Sequence, residues 1–452
     1  MLESVAEAQS GGRYSIFAVD AVRIECFQGA GGNDPFAQSA RRWRPWRRLA
    51  QEPDLPFIGG WVGMISYEAG EFTEPTAQWC RRAEHAPMAQ WSLFDTVLIH
   101  DACDDLWTVA GLELPDDLAG KARPALEDRL SRMESFVAQA THPRLPIGID
   151  PFTSRIGEWN ISREKYLKQV RRALEYIRAG DIFQVNLARR FRLATDAHPV
   201  SIYQRLCEKN PAAFAAYVPI RRPDGRDDRS AAVLSSSPEL FLHLRGSDVT
   251  TRPIKGTQPR GTDRQHDAAA SRALAESEKD RAELNMIIDL ERNDLGRVCE
   301  YGSVRVLSDG EIESHPTVFH RTATIRGRLR PGLDAVDLLR ATFPGGSVTG
   351  APKVRAMQII NELEPDARGP YCGAIGYVGL DGNMQLNLAI RTLTLAAGFV
   401  DCFVGSAIVA DSDPIEEYRE LKAKAAGMMA ALGVSAEEVE QPAPVAAGTS
   451  LG

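Results

Sequence analysis

Two predicted helices each carry a pair of carboxylates at a spacing suited to a shared site. Asp280 and Glu283 are three residues apart in one helical stretch, and Glu417 and Glu420 have the same spacing in another. Residues i and i+3 lie on one face of a helix, and Lys424 extends the second face by about one turn. Two such faces opposite each other predict an oxygen-lined Mg²⁺ site, although each pair alone is also typical of a solvated surface.

A lysine stands in a constrained turn outside these helices. Lys255 lies between Ile254 and Gly256, and a glycine allows the backbone to approach a ligand closely. An amine that is buried beside carboxylates and delivered neutral can act as a nucleophile. The alternative is the commoner one, a lysine that faces solvent.

Two segments near the C-terminal end have the chemistry of carboxylate recognition. Arg391 has the parity of the apolar residues Leu393 and Leu395 on a predicted strand. A guanidinium on such a face needs an anion, which is either a bound carboxylate or an internal salt bridge. The run Gly405-Ser406-Ala407 ends another predicted strand, where backbone N–H groups can hold a second carboxylate or form an ordinary turn.

Two residues are candidates for proton transfer. Glu239 follows an X-Pro step and precedes an apolar pair, and a carboxyl at the edge of a core can have a raised pKa and act as a general acid. It can equally be a rim residue. His320 is either a proton carrier or a satisfied core histidine.

Long elements are predicted to position these residues. Ser162 is a helix N-cap, and the helix that it begins ends at Gly180. Further helices are predicted over about Ala268–Leu290, from Pro352, and from Asp413 to about Leu432. Strands are predicted over Ile182–Phe191, Cys372–Val378, Met384–Leu395 and Phe399–Val409.

The first 140 or so residues predict short strands and turns with one helix near Asp116–Gln139. Phe57–Tyr67 is an apolar, glycine-containing run typical of a buried strand. The pattern divides the chain into an N-terminal region (1–140), a linker (141–160), a catalytic domain (161–432) and a tail (433–452) that is expected to be mobile.

Composition excludes several classes of protein. The 452 residues include 53 basic and 61 acidic side chains, a formal net charge of -8, which argues against a polyanion-binding surface. No apolar run approaches the roughly 18 residues of a membrane span, and the N-terminus lacks a signal-peptide pattern. The seven cysteines are scattered without a CxxC pair. We therefore expect a cytoplasmic protein without disulfides or a zinc site.

Taken together and in order, these motifs resemble one family. The runs Pro253-Ile254-Lys255-Gly256-Thr257, Asp280-Arg281-Ala282-Glu283, Gly350-Ala351-Pro352-Lys353, Ile390-Arg391-Thr392 and Glu417-Tyr418-Arg419-Glu420 are similar to those of the chorismate-utilising enzymes. The family includes anthranilate synthase component I, aminodeoxychorismate synthase component I, and isochorismate and salicylate synthases. The resemblance implies an α+β fold in which large antiparallel β-sheets pack as an orthogonal sandwich core with helices on the outside.

Two positions indicate which reaction the resemblance implies. Lys255 stands where anthranilate synthases carry alanine, and Gln184 stands where the water-adding members carry a base lysine. Both indicate the para-aminobenzoate branch of folate synthesis, in which chorismate and ammonia give 4-amino-4-deoxychorismate. The alternatives are anthranilate formation for tryptophan synthesis, or a catalytically idle scaffold that binds an amidotransferase or tryptophan.

The resemblance also assigns roles to the candidate residues. Lys255 would attack C2 of chorismate while Glu239 protonates the departing C4 hydroxyl; Glu283 and Glu420 would hold Mg²⁺, with Asp280 and Glu417 as nearby ligands. The chorismate contacts implied are Gly256, Thr257, Ser347, Tyr371, Arg391, Gly405, Ser406 and Ala407, with His320 and Lys424 lining the pocket.

Three features concern regions outside that pocket. No cysteine lies in a Gly-x-Cys-x-Gly elbow, so the resemblance implies ammonia from solution or from a separate glutamine amidotransferase subunit. The chain begins at the family's Leu-Glu-Ser element, so an upstream strand is expected to be missing or the start misassigned. A tryptophan pocket is implied at Ser4, Tyr14, Ser15, Ile16, Phe17, Ala213, Phe214 and Ala215.

One position departs from the family pattern. Ala407 stands where relatives usually have glycine. Because alanine restricts φ, the amide geometry around the substrate's enolpyruvyl carboxylate is less secure here.

Overall fold

The computed structural model describes residues 1–3, 12–29, 33–47, 55–120, 123–140, 157–221 and 230–434. The strands in this part of the chain are β1 (Leu2–Glu3), β2 (Tyr14–Ala18), β3 (Arg23–Phe27), β4 (Gly60–Ile65), β5 (Ala89–Phe94), β6 (Thr96–Asp101), β7 (Leu106–Gly111), β8 (Glu158–Trp159), β9 (Gln184–Ala194), β10 (Phe214–Pro219), β11 (Ala232–Ser237), β12 (Leu240–Arg245), β13 (Asp248–Arg252), β14 (Ile254–Pro259), β15 (Arg305–Ser314), β16 (Val318–Arg328), β17 (Gly350–Ala351), β18 (Ala374–Gly379), β19 (Met384–Leu388), β20 (Thr392–Ala396) and β21 (Phe399–Ile408). The α-helices are α1 (Pro35–Trp43), α2 (Asp116–Ala119), α3 (Leu126–Ala140), α4 (Arg163–Arg178), α5 (Pro199–Lys209), α6 (Arg264–Glu276), α7 (Glu278–Gly296), α8 (Ala335–Thr342), α9 (Lys353–Leu363) and α10 (Pro414–Ala431).

The strands form two large antiparallel sheets. Sheet one has the order β17-β9-β21-β20-β11-β10-β1-β2-β6-β7, with β8 also paired to β9. Sheet two has the order β14-β16-β13-β12-β19-β18-β4-β5-β3, with β15 also paired to β16. The predicted α+β class with large antiparallel sheets is confirmed.

Apolar side chains fill the space between the sheets and beneath the helices. Met64 and Ile375 of sheet two share a buried cluster with Ala216 and Val233 of sheet one. Another buried cluster joins β9 and β21 to α4, α5 and α10. Because strand side chains alternate between the two faces, sheet one presents one apolar face to sheet two and the other to these helices.

Strands from both sides of the predicted 141–160 linker are hydrogen-bonded in both sheets. In sheet one, Leu2 of β1 lies opposite Ala216 of β10. In sheet two, Gly63 of β4 lies opposite Gly376 of β18. The N-terminal 140 residues therefore complete the sandwich instead of forming a sheet of their own. Of the linker only residues 157–160 are described, and they include β8; the predicted tail, apart from residues 433–434, lies outside the described residues.

Two predicted elements are each divided in the structure. The helix predicted over Ala268–Leu290 is broken at Ser277, whose extended backbone ends α6 and whose side chain caps α7 by accepting from the Asp280 N–H. The strand predicted over Met384–Leu395 is broken before β20, where Arg391 has a φ of 49°. Both predictions of a continuous element were wrong, and in each case the break lies beside a predicted site residue.

The helix predicted near Asp116–Gln139 is also divided into two. Gly120, with a φ of 70°, ends α2, and α3 begins only at Leu126. No helix in the described ranges is long and apolar enough to cross a membrane.

Candidate active site

The predicted lysine lies at the centre of the site. Lys255 is half-buried in β14, and its Nζ lies 3.5 Å from the Ser347 carbonyl oxygen. Burial lowers its pKa, the charges of Glu283, Glu239 and Glu420 oppose that change, and Lys424 adds to it. Lys255 therefore loses its proton more readily here than it would in water.

The glycine after this lysine is needed for packing as well as for its backbone angle. Gly256 has a φ of 87°, and a Cβ at this position would lie 2.8 Å from Leu274 Cδ1 and 2.9 Å from Asp280 Cγ. The break between α6 and α7 thus packs directly against the backbone beside Lys255. Of the residues available, only glycine fits this position without strain.

A buried carboxyl faces the same lysine. Glu239 is 5% exposed, and its Oε1 accepts a 2.6 Å hydrogen bond from Ser347 Oγ. Burial raises its pKa to about 7, while the Ser347 hydrogen bond and the Lys255 charge act in the opposite direction. Such a group carries its proton near neutral pH, as a general acid must. Ser347 therefore contacts Glu239 through its hydroxyl and approaches Lys255 through its carbonyl.

The paired carboxylates come together from α7 and α10. Lys279 Nζ lies 3.9 Å from Glu283 Oε1 and 3.5 Å from Glu417 Oε1, so it bridges the two helices. Burial raises the pKa of Glu283. Burial also acts to raise the pKa of Glu420, but Lys424 at 2.6 Å outweighs it and the pKa is lowered.

Glu417 has partners that distinguish it from the other three acids. Its two carboxylate oxygens accept hydrogen bonds from Ser406 and Ser412, the latter at 2.6 Å, and its side chain is 2% exposed. Within the described ranges, no group of three or more His, Cys, Asp or Glu side chains is arranged to hold a metal ion. Glu283 and Glu420, both carboxylates, are chemically suited to Mg²⁺ provided that water or substrate supplies the remaining ligands.

Arg391 lies at the end of the irregular segment between β19 and β20. Its guanidinium has no ion-pair or hydrogen-bond partner among the described residues, and burial alone lowers its pKa to about 10. The internal salt bridge considered for this residue is therefore absent from that part of the chain. A half-buried guanidinium in this state is suited to a bound carboxylate.

His320 lies near Arg391 in the core of sheet two. It is 2% exposed, and its Nδ1 lies 2.8 Å from Thr257 Oγ1. Burial, with the charges of Arg391 and His315, lowers the pKa of His320 well below its usual value. This histidine is therefore neutral at physiological pH and can accept or donate one hydrogen bond on each ring nitrogen.

The predicted backbone-amide segment is part of a regular strand. In β21, Ala407 pairs with Asn186 and Gly405 pairs with Ala188. Ala407 is not among the residues with positive φ, so alanine adopts this backbone without strain. Gly405 is the position that cannot carry a side chain, because a Cβ would lie 2.7 Å from the Tyr371 hydroxyl.

Glu291, Asp294 and Lys353 were given no role from the sequence, and Gln184 was considered only as the replacement for a base lysine. Glu291 and Asp294 continue the face of α7 that begins at Glu283, and Lys353 begins α9. The side-chain amide of Gln184 is fully buried and has no hydrogen-bond partner among the described residues. Extending the i, i+4 and i, i+3 pattern along α7 would have identified the first two.

A cavity of about 260 Å³ lies between the sheets at the predicted tryptophan site. Tyr14, Ile16 and the segment Ala213–Ala215 line it. Ser15 and Phe17 do not line it, because alternate residues of β2 face opposite sides. Ser4 lies outside the described residues. A second cavity of about 440 Å³, lined by arginines that include Arg81 and Arg190, lies on sheet one.

Comparisons with known proteins agree with this arrangement. A family model described as chorismate binding enzyme matches residues 4–430. Aminodeoxychorismate synthase component 1 of Klebsiella aerogenes is 42% identical over 378 residues, which cover 81% of this chain and 76% of that protein. Anthranilate synthase component 1 of Streptomyces coelicolor is 37% identical over 443 residues, covering 96% and 83% respectively. The crystal structure of anthranilate synthase component I from Streptococcus pneumoniae has a TM-score of 0.78 and 30% identity, covering 92% of each chain.

Proposed function

Because this chain belongs to the family of chorismate binding enzymes, we propose that it converts chorismate and ammonia into 4-amino-4-deoxychorismate. It would then have the activity named for its Klebsiella aerogenes relative, aminodeoxychorismate synthase component 1. Relatives named anthranilate synthase are nearly as similar, so overall similarity does not separate the two reactions. The presence of a lysine at position 255 favours the first of these two reactions.

The observation that carries the proposal is the environment of Lys255. Its amine has a lowered pKa and lies among the acids Glu239, Glu283 and Glu420. A nucleophilic lysine must be neutral when it attacks, and desolvation favours that form. An anthranilate-forming enzyme, which adds ammonia directly to the ring, has no use for such an amine at this place.

In the proposed reaction, Lys255 and Glu239, the two residues that Ser347 contacts, act together. The neutral amine of Lys255 bonds to C2, the ring double bonds shift, and the C4 hydroxyl leaves as water with a proton from Glu239. Ammonia then attacks C4, the C2–N bond breaks and the lysine leaves as a neutral amine. The Glu239 carboxylate takes the proton that the new ammonium group releases, which returns both residues to their starting states.

Chorismate is a dianion, and this chain offers groups for each carboxylate. Glu283 and Glu420 would hold Mg²⁺, which when bound withdraws electron density through the ring carboxylate. Arg391 and the backbone amides around Gly405 would bind an anionic group of the substrate. No described carboxylate neutralises Arg391. Thr257, Tyr371 and Lys424 would complete the pocket.

We further propose that ammonia comes from a separate glutamine amidotransferase subunit. The name "component 1" of the relatives denotes one part of a larger enzyme. Activity with ammonium chloride alone, increased by addition of the amidotransferase and glutamine, is the expected pattern.

The cavity behind Tyr14 and Ala215 is proposed to hold tryptophan. Its volume of about 260 Å³ and its mixture of apolar and charged walls suit an aromatic amino acid. Native mass spectrometry of the purified protein with added tryptophan tests this, and an Ala215→Leu variant that fills the cavity should lose binding. Equal binding by the variant would remove the proposal.

The test of the main proposal is product analysis. The purified chain is incubated with chorismate, Mg²⁺ and ammonium, and the products are separated by liquid chromatography and mass spectrometry. The expected product is 4-amino-4-deoxychorismate, and omission of ammonia should leave a covalent adduct on the tryptic peptide that contains Lys255. Formation of anthranilate and pyruvate would instead support the activity named for the Streptomyces coelicolor relative, and no consumption of chorismate would support an idle scaffold.

A further inference from the structure

One loop carries the residue that contacts both Glu239 and Lys255. Residues 343–352 connect α8 to α9, and Ser347 lies in a short 3-10 turn at the middle of this loop. The Ser347 hydroxyl donates to Glu239 at 2.6 Å, and its carbonyl oxygen lies 3.5 Å from Lys255 Nζ. A shift of the loop would therefore disturb the acid and the nucleophile together.

A single ammonium group joins the two ends of this loop. Lys353, the first residue after it, donates from Nζ to the carbonyl oxygen of Thr342, the last residue before it, at 2.8 Å. Thr342 ends α8, where a carbonyl has no partner within the helix and attracts a cation. The lysine is 8% exposed, so its charge is held within the protein rather than in solvent.

The same ammonium fixes the loop to the helix of the acidic site. Lys353 Nζ lies 2.5 Å from Asp294 Oδ2, and the aspartate side chain is 6% exposed. Asp294 lies eleven positions after Glu283, about three turns along α7 and on the same face. Among the described residues this is the only ion pair that either side chain makes, so moving one partner away would leave the other charge buried and unpaired.

A second contact from α7 reaches the strand before the lysine. Glu291, one turn before Asp294, accepts a 2.9 Å hydrogen bond from Thr251 Oγ1 in β13. Thr251 lies four residues before Lys255. One face of α7 therefore contacts the lysine-bearing segment, through Glu291, and the serine-bearing loop, through Asp294.

We propose that Lys353 and Asp294 are positioning residues that hold Ser347, through the loop 343–352, in register with Glu239 and Lys255. Neither residue touches the reacting atoms; each acts through the loop and through α7. The inference rests on the proposed function for its catalytic consequence, whereas its structural part concerns the free protein alone. The feature is separate from the acids and the guanidinium that bind the metal and the substrate.

The test begins with Lys353→Met, which removes the ammonium but keeps the length of the side chain. We expect kcat to fall about 10²-fold, the size of effect that misplacement by about 1 Å produces, with KM for chorismate changed much less. Adding Ser347→Ala to this variant should give little further loss, because both changes remove the same contact. The pH dependence of kcat should shift in the same direction in Lys353→Met as in Ser347→Ala.

The matched control is Arg355→Met, two residues further along α9. Arg355 is half-buried, pairs with Asp181 at 3.5 Å and donates to Gln358 at 3.2 Å. Because neither partner belongs to the loop 343–352, its loss should leave kcat and its pH dependence unchanged. Hydrogen–deuterium exchange of the free proteins separates a local effect from a general one. Lys353→Met should increase exchange in residues 343–352 selectively, whereas a merely structural role would increase it across the whole chain.

A second variant keeps the test decisive if Lys353→Met does not fold. Lys353→Met combined with Asp294→Leu replaces the buried pair by apolar groups, an exchange that proteins often tolerate. A folded variant with full kcat, or losses from Ser347→Ala and Lys353→Met that multiply independently, would overturn the proposal. If the unaltered protein makes no aminodeoxychorismate, the proposed function fails, while loop exchange still decides whether the pair fixes the loop.

Discussion

At the scale of single residues, burial shifts the pKa values of a basic and an acidic side chain in opposite directions. Desolvation favours the neutral form of both Lys255 and Glu239, so it lowers the pKa of the amine and raises that of the carboxyl. The neutral forms are the ones that a nucleophile and a general acid need. Burial would thus prepare both groups for the same step of the proposed reaction.

Replacing Lys255 by alanine should remove the covalent step. We expect aminodeoxychorismate formation to fall at least about 10³-fold, which corresponds to about 4 kcal/mol of transition-state stabilisation. The rate is measured by chromatographic product analysis at saturating ammonium. Lys165→Ala, in the exposed first turn of α4, is the control and should keep the original rate. A variant that lacks Lys255 but turns over normally would show that another group is the nucleophile.

The protonation of Glu239 affects both the activity and the stability of the protein. Its pKa is about 7 in the folded protein against an ordinary value of 4.5, so the folded state holds the proton more tightly and loses stability as pH rises from about 4.5 through 7. Glu239→Gln removes this loss. We expect the variant to be inactive, yet up to about 3 kcal/mol more stable relative to the wild type at pH 8 than at pH 4.

Urea unfolding at the two pH values measures this difference. Glu416→Gln, at an exposed position of α10, is the control and should show no such pH-dependent gain. If the relative stability of Glu239→Gln does not change with pH, the carboxyl is ionised within the folded protein and is not the general acid.

At the scale of elements, α6, α7 and β14 meet at a glycine. A side chain at Gly256 would contact Leu274 and Asp280, whereas at Gly246, which also has positive φ, a Cβ would meet nothing within 4 Å. The two glycines therefore separate backbone strain from steric conflict.

Alanine substitution at these two positions should have different consequences. Gly246→Ala is expected to cost about 1 kcal/mol through strain alone. Gly256→Ala adds overpacking of about 1–3 kcal/mol and should also reduce turnover, because it pushes Asp280 and Lys255 apart. Thermal unfolding and product formation measure the two effects. Equal losses at both positions would show that the contact with α7 is unimportant.

The acids of α7 and α10 indicate how the proposed Mg²⁺ dependence can be weakened without unfolding the protein. Glu420→Gln should raise the Mg²⁺ concentration needed for half-maximal activity by about 10-fold or more. Its melting temperature should change little, since the side chain is 46% exposed. Glu416→Gln is again the control, because this exposed residue pairs only with Arg419 within the described part of the chain. Unchanged Mg²⁺ dependence would exclude Glu420 as a ligand.

The elements also show where sequence patterns stop being informative. Helical periodicity predicted α4 and α10 to within a few residues, since both have a buried apolar face and a clear N-cap. The same periodicity continued across Ser277, where local capping interrupts the helix. The apolar alternation of β19 and β20 likewise continued across Arg391, although a φ of 49° at this residue interrupts the strand.

At the scale of the whole molecule, the sequence predicted which residues are candidates for the site but not how they are arranged in space. Residue types and spacing made Lys255, Glu239 and the two acidic pairs candidates for the site. The hydrogen bonds from Ser406 and Ser412 to Glu417, and the ion pair between Lys353 and Asp294, depend on how separate elements pack together. A spacing rule covers one element, whereas these contacts are set by the packing of several.

Because both sheets contain strands from both ends of the chain, the described protein should unfold as one unit. Trp61 and Trp91 are buried in sheet two, and they report on the N-terminal region, while circular dichroism reports on the whole. We expect the urea transitions measured by tryptophan fluorescence and by circular dichroism to coincide. Residues 157–434 expressed alone should not fold, because β10 and β18 would lack their neighbours. Two separate transitions would instead support independent domains.

The same interleaving has a consequence for biosynthesis. β4 leaves the ribosome long before its neighbour β18 has been translated, and β1 likewise precedes β10. During that interval the nascent chain exposes apolar strands such as Gly60–Ile65, whose open edges favour aggregation. A cell that makes this enzyme in quantity would therefore depend on chaperones to shield the early strands until the late ones arrive.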